Sequence, residues 1–133
     1  MIFVDSSALY ALADRADRNH EQARRRISTL LNSAEPLLTH NYVLVESIAL
    51  AQHRLGTGPA LDLARSAANF EVDWVDAKLH DEAVRALARS PKRRLSLVDQ
   101  VSFFVMRKRG VESAFAFDSD FVRAGFREYS GTE

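Results

Sequence analysis

At 133 residues, 47% of them apolar and 27% charged, the chain has the size and balance of one globular domain with a proper core. It contains no cysteine, which excludes a disulfide framework, thiolate chemistry and a cysteine-bound zinc site. Formal net charge is zero and no apolar stretch reaches the length of a membrane span, so neither an overall basic field nor a bilayer segment declares a partner.

The chain opens on the apolar run Met1-Ile2-Phe3-Val4, closed by Asp5, which predicts a first strand over residues 2–5. No basic segment or cleavage site precedes it, so a cytoplasmic protein is expected. Ser6 or Ser7 is placed to cap a helix to about residue 13. Asn19 is placed to cap a second helix, where Ala23, Ile27, Leu30 and Leu31 recur at helical spacing. Pro36 stops it, and Leu37-Leu38-Thr39 reads as a second strand. Residues 42–55 are apolar nearly all round, which predicts a buried helix. Gly56 and Gly58 end it, and Pro59 opens the next, to about residue 69. Residues 70–75 alternate like a strand, with Val72 and Trp74 on one face. Residues 78–89 and 97–109 read as helices, separated by a basic loop and closed by Gly110. A fourth strand follows at 114–117, then a helical turn at 119–124 and an edge strand at 126–129. No repeat, linker or low-complexity tract divides residues 1–133, so one domain is expected.

Strands alternating with helices imply an α/β fold: a mainly parallel central sheet of four to five strands, with helices on both faces. In such sheets sites form at the carboxyl ends of the strands. Asp5 and Asp118 end strands in this reading, and Glu46 and Asp99 sit in the first turns of helices, so all four can face one edge. Each has an ordinary alternative. Asp5 and Asp118 can cap the helices that follow them, and Ser96-x-x-Asp99 is a capping box. Glu46 is harder to explain, because its helical neighbours Tyr42, Val43, Ala49 and Leu50 form an apolar face. One shared cation site accounts for all four acids together, since carboxylates at the edges of core segments need a counter-charge.

Other chemistries find less support. His20, His40, His53 and His80 show no zinc-ligand spacing. Asp5-Ser6-Ser7 offers no Gly-rich phosphate cradle, and there is no nucleophile-elbow signature. A phospho-acceptor domain of similar architecture would place a Lys late in the chain, where this one has Phe117-Asp118-Ser119-Asp120.

On these motifs the chain resembles the PIN domains, and most closely the VapC-type toxin ribonucleases. The resemblance rests on Ile2-Phe3-Val4-Asp5-Ser6-Ser7, Glu46, Leu95-Ser96-Leu97-Val98-Asp99 and Ala116-Phe117-Asp118-Ser119-Asp120-Phe121, in order along essentially the whole length. It implies that Asp5, Glu46, Asp99 and Asp118 form a catalytic quartet that binds Mg2+ or Mn2+, with Ser7 and Asp120 in support. It further implies metal-dependent cleavage of RNA, a homodimer, and neutralisation by a small cognate antitoxin. A PIN-like module that holds RNA or a protein without cleaving it is the alternative.

Three basic triplets break the neutral average: Arg24-Arg25-Arg26, Lys92-Arg93-Arg94 and Arg107-Lys108-Arg109. Each alone reads as a solvated face or helix end. Lys92, Arg93 and Arg94 stand just ahead of the Asp99 helix and are the first candidates for RNA phosphate contacts. The helices at 19–34 and 42–55 carry more apolar positions than a small sheet readily covers, so a groove for an amphipathic antitoxin segment is expected there, with an antitoxin Arg reaching the acids.

Overall fold

The structure is a computed structural model that describes residues 1–90 and 95–131. Lys92, Arg93 and Arg94 lie outside the described residues. The elements run β1 (Ile2–Val4), α1 (Ser6–Ala13), α2 (His20–Asn32), β2 (Leu37–His40), α3 (Asn41–Leu55), α4 (Thr57–Ala67), β3 (Glu71–Asp73), α5 (Ala77–Arg89), α6 (Leu97–Arg109), β4 (Ser113–Phe115), α7 (Asp120–Arg123) and β5 (Arg127–Glu128).

The strands form one five-stranded sheet in the order β3-β2-β1-β4-β5. Every pairing is parallel, and helices flank the sheet. Phe3 in β1 sits opposite Leu38 on one side and Ala114 on the other. From β1 the chain builds outward through β2 to β3, then returns to add β4 and β5 on the far side of β1. The order therefore reverses between β1 and β4, where α/β sheets open a crevice at their carboxyl ends.

Phe3, Val4, Leu38 and Phe115 are fully buried along these central strands. Helix α6 adds Val101, Phe103, Val105 and Met106, and the Phe103 ring meets Phe121 edge-on at 5.3 Å. Truncating a side chain such as Phe3 to Ala would cost about 3–5 kcal/mol. His40 is the largest polar side chain among the fully buried described residues. The Val43 N–H donates to its Nδ1, its Nε2–H donates to Ser102 Oγ at 2.8 Å, and that hydroxyl donates to the Val98 carbonyl. The ring is thus held neutral, and burial lowers its pKa to about 3.

Four local expectations are revised. Of the two capping readings for α1, that of Asp5 holds and that of Ser6 or Ser7 does not: the Asp5 carboxylate accepts the Ser7 N–H. Helix α3 is not buried all round. Val43, Ser47 and Ala51 form its inner stripe, while Val45 is 65% exposed and Glu46 and Ala49 also face outward. Trp74 is 73% exposed, because β3 stops at Asp73 and the alternation has no ladder to follow beyond it. Arg26 is buried rather than solvated, with its guanidinium 5.3 Å from the centre of the Phe117 ring. The third triplet is structural at both ends. Arg109 pairs with Glu71 and Asp73, and Arg107 lies over the rings of Phe103 and Phe126. Gly110 closes α6 in the left-handed conformation (φ 66°), and Val111 N–H returns to the Met106 carbonyl.

Candidate active site

The end of β1 is fixed on both sides before any functional group is considered. Thr39 Oγ1 in β2 donates to the Val4 carbonyl at 3.0 Å, and the Asp5 N–H donates to the Phe115 carbonyl of β4 at 3.0 Å. The Asp5 carbonyl then accepts the first N–H groups of α1, from Ala8 and Leu9. Asp5 is thereby held at the crevice, pinned by backbone bonds that do not depend on its side chain.

Asp5 is 2% exposed. Oδ2 accepts the Ser7 hydroxyl at 2.7 Å and the Ser7 N–H at 3.2 Å, whereas Oδ1 is buried with no hydrogen-bond partner among the described residues. The Ser7 hydroxyl oxygen also accepts the Phe117 N–H at 3.0 Å, so one serine ties the ends of β1 and β4 together. The Asp5 pKa is raised to about 7, first by burial and then by the charges of Asp118 and Asp99, against the opposing Ser7 hydrogen bonds.

Asp118 follows β4, and its Oδ1 accepts the Asp120 N–H at 3.0 Å, which turns the chain into α7. Burial and then the neighbouring Asp120 raise its pKa against an opposing effect of Arg123. Arg123 pairs with Asp120. Asp99 completes the capping box of α6: its carboxylate accepts the Ser96 N–H at 2.9 Å, and its own N–H donates to the Ser96 hydroxyl. Its pKa too is raised, first by burial and then by Asp118 and Asp120, even though the capping bonds pull it down. Asp5, Asp99 and Asp118 therefore feel one another as like charges.

A cavity of about 380 Å³ opens at this edge and is lined by Asp5, Ser7, Glu46, Phe117 and Asp118 among others. Three of the four expected acids meet there with Ser7. Asp99 and Asp120 are not in its wall and reach the group through their charge. Tyr10, Asp17, Arg18 and Ser47 also line the cavity, and nothing in the sequence patterning assigned them to it. Asn19, another lining residue, carried only a helix-cap signal, yet its side chain makes no cap hydrogen bond.

Among the described residues, no three His, Asp or Glu side chains already stand as a metal cage. Carboxylates without counter-charge repel one another, and here Ser7, Ser96 and the Asp120 N–H each hold an oxygen. The donors are all hard oxygens, and Asp5 Oδ1 is left uncommitted. In kind, this set fits a hard divalent cation.

Known proteins resemble the chain along nearly its whole length. It is 41% identical over 131 residues to the 23S rRNA-specific endonuclease VapC20 of Mycobacterium tuberculosis, in strains CDC 1551 and H37Rv, covering 96% of this chain and 97% of that protein. The crystal structure of Mycobacterium tuberculosis VapC20, described as a sarcin–ricin loop cleaving toxin, superimposes with a TM-score of 0.83 at 40% identity, covering 95% of this chain and 96% of the other. Residues 2–127 match the PIN domain family, and the chain belongs to that family.

Proposed function

We propose that the chain is a metal-dependent endoribonuclease, the toxin of a type II toxin–antitoxin pair, with residues 1–133 as its nuclease domain. The observation that carries this reading is Asp5. It is a buried carboxylate with one oxygen unpartnered, in a cavity shared with Glu46 and Asp118 at the point where strand order reverses. A charge in that position is costly until a cation answers it.

Asp5, Glu46, Asp99 and Asp118 would hold Mg2+ or Mn2+, which supplies an activated water and charge for the leaving oxygen of a phosphodiester. The remaining work belongs to the chain. Ser7 holds Asp5 Oδ2 and so sets the carboxylate plane. The Asp120 N–H orients Asp118, and the Ser96 cap holds Asp99 at the start of α6. Lys92, Arg93 and Arg94 would take flanking phosphates at the rim. The relatives' activity on 23S rRNA makes ribosomal RNA the first substrate to test.

No described helix is long and apolar enough to cross a membrane, and cytoplasmic action fits the proposed substrate. The protein would form a homodimer. A small cognate antitoxin would lie along α2 and α3, where Leu31 and Val45 are exposed apolar side chains, and would send an Arg to the acids.

The test is purified protein incubated with ribosomal RNA in Mg2+, Mn2+ or chelator, followed by sequencing of RNA ends. Discrete new ends that need the metal are expected. Intact RNA under every ion condition would refute the proposal.

A further inference from the structure

Among the described residues, Arg18 is the only basic one lining the cavity that Asp5, Glu46 and Asp118 share. It lies in the loop between α1 and α2, exposed at the cavity wall. Its acidic neighbours leave it unpaired. Asp17, beside it, accepts the Asn19 N–H at Oδ1 (2.8 Å), and Arg18 forms no ion pair among the described residues. Other arginines are committed: Arg24 to Glu21, Arg65 to Asp62, Arg109 to Glu71 and Asp73. A guanidinium that stays free in a wall shared with Asp17, Glu46 and Asp118 has its forked donors available to an incoming anion.

We propose that Arg18 binds a phosphate of the RNA next to the one being cut, and so admits a polyanion to an otherwise acidic cavity. The proposal rests on the nuclease reading and deepens it. A polyanion entering past four carboxylates meets repulsion that a single fixed cation on the wall offsets locally. Arg18 is a substrate-binding residue in this account and takes no part in the chemistry itself. Its contact is with backbone phosphate, so its effect is the same for any RNA sequence.

The experiment compares Arg18→Ala with Arg15→Ala. Arg15 is an exposed arginine of the same loop that does not line the cavity, so both variants lose the same charge. Cleavage is measured with Mn2+, separating kcat from KM. RNA binding is measured with chelator at several salt concentrations, and thermal unfolding checks the fold. Arg18→Ala is expected to raise KM about ten-fold with kcat little changed. The slope of log affinity against log salt should fall by about 0.7, the release expected for one single-strand phosphate. Arg15→Ala should stay near wild type, and Arg18→Lys should keep the slope. If Arg18→Ala and Arg15→Ala behave alike in KM and salt slope, the proposal is overturned. If wild-type protein binds RNA through Arg18 but cuts none, the nuclease reading falls and the phosphate contact stands. If it neither binds nor cuts, both fall.

Discussion

The Ser7 hydroxyl donates to Asp5 Oδ2 at 2.7 Å while its oxygen accepts the Phe117 N–H at 3.0 Å, so the side chain of one residue sets both the acid at the end of β1 and the segment after β4 that carries Asp118. Ser7→Ala breaks both bonds and leaves a part-buried N–H without its acceptor. A loss of about 1–3 kcal/mol in stability is expected, together with a fall of about 10- to 100-fold in metal affinity, as for other residues that orient metal ligands. Denaturant unfolding and Mn2+ titration of the variant check the two parts separately. Unchanged metal affinity in a folded variant would remove Ser7 from the site.

Stability in chelator should depend on pH chiefly through the two groups with the largest shifts, which oppose each other. Asp5 is raised to about 7 from an ordinary 3.8, so between those values the folded protein holds a proton that the unfolded chain has released, and stability falls as pH rises. His40 is lowered to about 3 from 6.5, so the unfolded chain binds the extra proton and stability rises with pH up to about 6.5. Between about pH 4 and 6.5 these two slopes oppose each other, and the raised pKa values of Asp99 and Asp118 act in the same sense as that of Asp5. Asp5→Asn removes one of the two slopes, and its stability should climb with pH more steeply than the wild type's, by up to about 1.4 kcal/mol per pH unit. Urea unfolding at pH 4.5, 5.5 and 6.5 measures this. Parallel curves for the two proteins would mean that Asp5 is ionised throughout.

Replacing Lys92, Arg93 and Arg94 together by Ala is expected to weaken RNA binding without altering metal affinity. The loss should be sequence-independent and should shrink as salt rises. An unchanged salt slope would leave the triplet as a solvated loop and put the whole phosphate contact elsewhere.

Much of this arrangement was legible from residue order. Asp5 after four apolar residues, the Ser96–Asp99 box and Asp118 after an apolar run each announce a position at the end of an element, and the alternation of elements places those ends on one edge. What periodicity does not carry is cover. Residues 42–55 are apolar on most faces, but only Val43, Ser47 and Ala51 are fully buried; Tyr42, Leu44, Ile48 and Leu55 pack against the core while partly exposed, and Val45 and Glu46 face outward. Trp74 belongs to a pattern that outlasts its strand. Arg26 looked like one of three surface cations and is buried against Phe117, a contact 91 positions away that no local spacing encodes. Arg18 and Tyr10 reach the cavity by a loop and a helix face whose direction is decided only when α1 packs against α2 and α3.

The central claim is that the buried acid at the end of β1 carries metal-dependent cleavage of RNA, and Asp5→Asn tests it most directly. The substitution keeps shape and removes charge. In chelator at neutral pH the variant should be more stable than wild type by about 1–3 kcal/mol, since the cost of a buried carboxylate is gone. Its rate of RNA cleavage at saturating Mn2+ is the decisive measurement. A loss of about a hundred- to a thousand-fold in a folded protein is expected, and wild-type cleavage by folded Asp5→Asn would contradict the account.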